Sequence, residues 1–371
     1  MKFSDRLISV FFVVFIAVLS LGTCCNLISA EKSGSFEADF KENIFLRDSF
    51  VDLHGFTQKL MRNRVVEDVR YGVLLKNDWQ QITDVPFVSD LKDLKKNIYK
   101  ISSASKKAGA NMVYVQAPFK ILPSYEDTLP ISYKSYANDN ADKLMEELKK
   151  RDIEYFDLRT VLEESPMQKS QIFYKTDHHW TIPAAFYSYG RLAEFLNGNY
   201  SYTDPDELAY LTNEMWFEKR EMPESFLGTW GRRTGRYYVK PDDFVYYVPN
   251  FATDIEATHI LDETFHLRSS FYYTMMTPDY VENSKDGIKT NRYSVYLGGY
   301  TNETRAVNYN VSNDKKVLIF HDSFGFPLSA FLSLTFRETR ILDLRNYEGD
   351  FEKYIEDYKP DIVLAIYNPD Y

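Results

Sequence analysis

The sequence predicts an α/β fold: a parallel sheet with helices on both faces, interrupted by a β-rich insertion. Short apolar runs recur, each preceded by a stretch with helical spacing. Between about residues 201 and 310 a tyrosine-rich block reads instead as strands and turns, and after 310 the helix–strand alternation resumes. The length of 371 residues, 44% of them hydrophobic, suits one large domain or two modest ones.

From Leu7 to Ala30 no residue is charged, and Lys2 and Arg6 precede the run. About 20 apolar residues suffice to cross a bilayer, so residues 1–30 are read as an uncleaved membrane anchor. The alternatives are a cleaved signal segment, which Ile28-Ser29-Ala30 fits poorly, and a lipid anchor at Cys24 after Leu21-Gly22-Thr23. Basic residues ahead of the run keep the N-terminus inside, which places everything beyond Glu31 outside the cytoplasm.

A polar stalk, residues 31–45, comes next. Asp48 to Arg62 has helical spacing, and Val73 to Leu75 with Trp79 reads as a short hairpin. A lysine-rich helix from Leu91 to Ala108 leads to the run Asn111 to Ala117, which Pro118 ends. A second helix, Asp139 to Lys150, precedes the strand Ile153 to Asp157. Apolar residues in continuous rather than alternating runs mark parallel strands buried on both faces. In the block that follows, Arg236 to Lys240, Phe244 to Val248 and Tyr293 to Leu297 read as strands. Then come the strand Val317 to Phe320, a helix from Pro327 to Phe336 and the strand Arg340 to Leu344. The helix Phe351 to Tyr358 and the strand Asp361 to Ile366 finish the pattern. The predicted divisions are 1–30 (anchor or signal), 31–200 (first part of the α/β domain), 201–310 (β-rich insertion) and 311–371 (second part).

Composition narrows the function. A formal charge of −10 leaves no basic excess to displace counterions from a phosphate backbone, so nucleic acid is not an expected partner. Cys24 and Cys25 are the only cysteines, which leaves the rest of the chain without a disulfide or a thiolate metal site. Aromatics reach 16%, which serves either a packed core or surfaces that stack on sugar rings.

Two motifs carry chemistry. His321-Asp322-Ser323-Phe324-Gly325 follows a strand and opens a helix. A sharp turn there lifts the Ser323 hydroxyl past the sheet edge, beside backbone N–H groups suited to an oxyanion. The same pattern also serves as an ordinary helix cap. The second motif is Asp177-His178-His179-Trp180-Thr181, with Thr181 placed to cap the next helix. In extended chain residues i and i+2 share a side. Asp177 would then orient His179 as a general base for Ser323, with His178 facing away. Asp177, His178, His179 and His321 also suit a metal, though no further carboxylate cluster stands at ligand spacing. Neither a metal nor any other cofactor is expected. Trp180, beside the base, would either stack on a sugar or pack against the sheet.

The run Thr176-Asp177-His178-His179-Trp180-Thr181 with the later His321-Asp322-Ser323-Phe324-Gly325 resembles the DHHW family. It also resembles the related alginate O-acetyltransferase proteins, which carry an SGNH hydrolase-like domain. The resemblance extends to Phe226-Leu227-Gly228-Thr229-Trp230 and Leu297-Gly298-Gly299. It implies a three-layer α/β/α sheet, circularly permuted: the strands near 111 and 153 stand for the fourth and fifth of the SGNH order, and those near 317, 340 and 361 for the first three. It assigns the family's Asp, His and Ser to Asp177, His179 and Ser323. Asn368, just past the last strand, falls where the oxyanion Asn belongs, although Tyr367-Asn368-Pro369-Asp370 lacks the usual Gly and His321 replaces the Gly of G-D-S.

The implied function is O-acetylation of an exported or cell-surface polysaccharide, in partnership with a membrane-bound O-acyltransferase that supplies acyl groups. Acetyl-CoA is cytosolic and no phosphate-cradling Gly-rich loop is visible, so an acyl donor would have to come through the membrane. A carbohydrate esterase with the same residues, or a glycan-binding or assembly protein that keeps the fold without catalysis, are the alternatives.

Overall fold

The computed structural model describes all residues except 1, 2, 31–35, 37, 38, 41, 42, 69–71, 131, 261–263, 300 and 369–371. Most of the expected stalk, and Pro369 and Asp370, lie outside the described residues. The chain divides into two compact units, residues 1–63 with 232–239, and residues 64–231 with 240–371.

The first unit holds helix α1 (Phe3–Ser29) and helix α2 (Arg47–Leu60). Within α1, Ile8–Ser29 has a mean hydropathy of 2.5 and is long and apolar enough to cross a membrane or to act as a signal segment. Residues 232–239 belong with α2: Arg236 pairs with Asp52 at 3.0 Å, and the Tyr238 hydroxyl donates to the Asn63 carbonyl at 2.9 Å. Gly235 has φ +85° and lies against the Val51 carbonyl, where any Cβ would collide. Arg236 to Lys240 is therefore not the predicted strand, because its backbone turns tightly against α2.

The second unit is built on one eight-stranded sheet. Its elements in chain order begin with a small antiparallel sheet of β1 (Val65–Asp68), β2 (Gly72–Lys76) and β3 (Ile82–Thr83). Helix α3 (Lys92–Ala108), strand β4 (Asn111–Gln116), helix α4 (Ala137–Lys149) and strand β5 (Glu154–Asp157) follow. Helix α5 (Ile182–Tyr200) leads to the ribbon β6 (Phe217–Phe226) and β7 (Asp242–Pro249). Next come β8 (Ile255–Ile260), β9 (Thr264–Ser269) and β10 (Glu303–Asn308). The chain closes with β11 (Lys316–His321), helix α6 (Gly325–Leu332), β12 (Glu338–Leu342), helix α7 (Phe351–Tyr358) and β13 (Ile362–Tyr367).

The sheet order is β5-β4-β13-β11-β12-β10-β8-β9. The first five strands are parallel to their neighbours, and the last three attach antiparallel. Counted from β11 and continued past β13 to β4 and β5, the parallel part runs 2-1-3-4-5, a doubly wound order that places a site at the carboxyl ends of its strands. That is the predicted permuted arrangement.

Alternate strand residues explain the layers. Val113, Val115, Val317, Ile319 and Leu364 pack with Leu192 and Leu196 of α5 and Leu328 and Leu332 of α6. Tyr114, Leu318, Phe320 and Val363 turn to the other face, against Ile98 of α3, Leu144 of α4 and Ile355 of α7. Both faces are covered, which is why the strand sequences read as unbroken apolar runs.

Apart from residues 232–239, the predicted insertion is part of this unit: β8, β9 and β10 extend the sheet edge, and β6–β7 form a separate ribbon. Tyr293 to Leu297 also departs from the expected strand. Arg292–Val295 forms a 3-10 turn, pinned where Arg292 donates to the carbonyls of Ser225 at 2.9 Å and Tyr280 at 2.8 Å.

Candidate active site

Ser323 sits in the tight turn between β11 and α6, at the carboxyl edge of the sheet. Asp322 shapes that turn. Its Oδ1 accepts the Phe324 N–H at 2.8 Å, and its Oδ2 accepts the Asn368 N–H at 2.7 Å. Burial pushes the Asp322 carboxyl pKa up, against the pull of the Asn368 N–H and Arg345. The turn after β11 is thereby tied to the end of β13.

The Asp177–Trp180 loop reaches the same edge from the start of α5. Thr181 caps that helix, its hydroxyl accepting the Ala184 N–H at 3.3 Å. The loop closes on itself through a bridge between Phe173 and Trp180. His179 Nδ1 lies 2.6 Å from Asp177 Oδ1, and Nε2 lies 2.7 Å from Ser323 Oγ. A carboxylate only accepts, so Nδ1 carries the proton and Nε2 is left to accept from the serine hydroxyl. Asp177 also accepts the His179 N–H at 3.1 Å and the Thr229 N–H at 2.8 Å. Burial raises its pKa, but the imidazoles of His178 and His179 and these hydrogen bonds together hold it well below the usual carboxylate range. Asp177 and His179 are both buried, and Ser323 is 8% exposed.

The two neighbours of His179 do not behave as the sequence suggested. His178 does not face away. Its ring lies 3.8 Å from that of His179, and its Nδ1 is 3.6 Å from Asp177 Oδ1, because the chain bends through residues 175–179 rather than running extended. Trp180 is fully buried, and its indole N–H donates to the Tyr293 hydroxyl at 2.9 Å. It offers no face to a sugar; of the two roles expected for it, packing is the one it fills.

Asp177, His178 and His179 bring donor atoms within 4.8 Å of one another, the clustering a metal would need. Both ring nitrogens of His179 are already committed, however, one to Asp177 and the other to Ser323.

Asn368 follows β13 directly, and its backbone N–H is the one that Asp322 accepts. Its side-chain N–H donates to the Pro118 carbonyl at 2.7 Å, so it braces the loop after β4. Ser323 stands two residues before α6 begins at Gly325.

Sequence reasoning missed Tyr293. Its ring stacks on His179 at 3.8 Å and 12°, forming the floor under the imidazole. It arrives from the turn before β10, and no spacing in the sequence links residue 293 to residue 179. Lys120 and Asp242 were also missed. Lys120 Nζ donates to the Asp177 carbonyl, and Asp242 accepts the N–H groups of Lys175 at 2.6 Å and Thr176 at 2.8 Å. A charged side chain among buried apolar neighbours is a readable signal in a sequence only once its burial is known.

Residues 87–260 match the model of the ALGX family, described as the SGNH hydrolase-like domain of the acetyltransferase AlgX. That segment carries Lys120, Asp177, His179 and Asp242, and Ser323 follows it in sequence. Bacillus cereus PatB1, solved with a sulfonyl adduct, superposes with a TM-score of 0.63 at 20% identity, covering 80% of this chain and 96% of that one. A DHHW family protein from Eubacterium siraeum superposes with a TM-score of 0.61 at 19% identity, covering 82% of this chain and 92% of that one. At such identities the likeness is one of fold. No curated protein matches this sequence significantly.

Proposed function

With an SGNH hydrolase-like domain of the AlgX acetyltransferase kind as the premise, we propose that this protein is an extracytoplasmic O-acetyltransferase. It is tethered by α1, acts on an exported or cell-surface polysaccharide, and uses Ser323 as nucleophile with His179 and Asp177 as its base pair. The observation that carries this reading is the continuous hydrogen-bonded chain from Asp177 through His179 to Ser323.

In the first half-reaction Ser323 Oγ attacks the carbonyl carbon of an acyl donor while its proton passes to His179 Nε2. Asp177 stabilises the imidazolium that forms. The Ser323 N–H stands by the developing oxyanion, with Asn368 assigned as a second donor. The donor oxygen leaves with the proton from Nε2, and the acetyl group remains on Ser323. A sugar hydroxyl then gives its proton to Nε2 and attacks the acetyl carbon; the acyl–Oγ bond breaks, Ser323 Oγ recovers the proton from Nε2, and the sugar departs as its O-acetyl ester. The acyl donor fits delivery by a membrane-bound O-acyltransferase, for which a tethered domain has a high effective concentration.

Ser323→Ala tests this in the full-length chain. By analogy with serine proteases, turnover of an aryl acetate should fall by about a million-fold. An aryl sulfonyl fluoride should add one sulfonyl group to the wild type and none to the variant, read by intact mass. In cells the surface polymer should lose O-acetyl groups. Wild-type turnover by the alanine variant would refute the nucleophile, and a polymer richer in acetyl groups would make the protein a deacetylase.

A further inference from the structure

The backbone from Lys175 to Asp177, which presents the proposed base pair, is held from two sides by buried charges. On one side stands Asp242, at the start of β7. Its carboxylate accepts the Lys175 and Thr176 N–H groups and the Thr176 hydroxyl, the last at 2.6 Å. On the other stands Lys120, on the loop after β4. Its ammonium donates to the Asp177 carbonyl and lies 3.4 Å from that of Lys175. Anion meets N–H and cation meets C=O, so each charge is matched to one end of the peptide dipoles. Lys120 is 2% exposed and Asp242 5%. Burying a lysine ammonium sacrifices its hydration, which bonds to main-chain carbonyls and nearby carboxylates offset only in part.

We propose that Lys120 is a positioning residue for acyl transfer: with Asp242 it clamps residues 175–177 and so sets His179 against Ser323. This rests on the acyl-transfer reading above. The clamp also reaches the nucleophile's side, because the loop that carries Lys120 includes Pro118, whose carbonyl accepts from the Asn368 side chain.

The geometry gives the clamp a pH signature. Burial lowers the Lys120 pKa from its ordinary 10.5 to about 8, and the carboxylates of Asp242, Asp177 and Asp84 oppose that fall from β7, from the loop itself and from the segment after β3. Above about pH 8 the folded chain loses this proton while the unfolded chain keeps it. The unfolded state then binds more protons, so this group's contribution to stability rises with pH. Loss of the ammonium weakens charge-assisted bonds to the carbonyls. Turnover should therefore decline through the same range in which the fold does not weaken.

The test measures aryl acetate kinetics and thermal unfolding from pH 6 to 10 for the full-length protein, with Lys120→Met, Lys120→Arg and Ser323→Ala. The wild type should show an alkaline limb in kcat near pH 8 without a matching fall in Tm. Lys120→Met should lose about a hundred-fold in kcat with little change in KM, and its residual activity should lack the limb. Lys120→Arg should recover part of the rate and move the limb upward. An unchanged limb in either variant overturns the clamp. If Lys120→Met does not fold, the limb of Lys120→Arg decides alone. Ser323→Ala with full activity overturns the acyl-transfer reading together with the clamp, whereas an inert Ser323→Ala beside a wild-type-like Lys120 profile overturns the clamp alone.

Discussion

Adjacent histidines, His178 and His179, both lie against Asp177, but only one of them spans from the carboxylate to the serine. His179→Ala should reduce turnover by at least a thousand-fold, whereas His178→Ala should cost about ten-fold or less, since general base catalysis contributes roughly 10²–10⁴ and orientation adds to it. Turnover of both variants, with Tm as the check on folding, decides between them, and a dead His178→Ala reverses the assignment. Tyr293 offers a second separation at this scale. Tyr293→Phe keeps the ring under His179 but leaves the buried Trp180 N–H without its acceptor. That should lower stability by about 1–3 kcal/mol with only a small effect on rate. Tyr293→Leu removes the aromatic floor and should reduce the rate as well. Equal rates for the two variants would show that the stacked ring does nothing for the base.

Single elements matter through how closely they approach. The segment after β6 runs directly over the Asp177 loop. Gly228 N–H donates to the Thr176 hydroxyl at 2.9 Å, and a Cβ at Gly228 would overlap the Asp177 side chain. Gly228→Ala should therefore displace Asp177 and break its bond from the Thr229 N–H. A cost of about 1–3 kcal/mol in stability, from overpacking, should accompany a larger loss of turnover. Thermal unfolding and aryl acetate kinetics measure both, and a fully active variant would mean that the segment yields without moving Asp177. The segment Phe226 to Trp230 thus shapes the Asp177 loop through this contact. Nothing in the local sequence indicates it, because 52 residues separate Gly228 from Thr176 and Thr229 from Asp177.

For the molecule as a whole, the proposed site of action turns on whether α1 is kept as an anchor. With α1 retained as an anchor, the full-length protein should sediment with membranes, resist carbonate extraction and be cut by protease added from outside. A soluble mature form lacking the first 30 or so residues would instead identify α1 as a cleaved signal. The sequence by itself determined α1 and the parallel strands, because apolar periodicity is a local property of the text, and the permuted order followed from the resemblance of its motifs to the SGNH order. It also brought forward Asp177, His179 and Ser323, since side-chain chemistry and short spacing suffice to propose such a set. Only the tertiary structure decided that His178 turns toward Asp177, that Trp180 is buried, and that Arg236 to Lys240 leaves the sheet. It alone brought Tyr293, Lys120, Asp242 and Gly228 to the site. Those residues act by burial and close approach across segments remote in sequence, and packing in three dimensions fixes both.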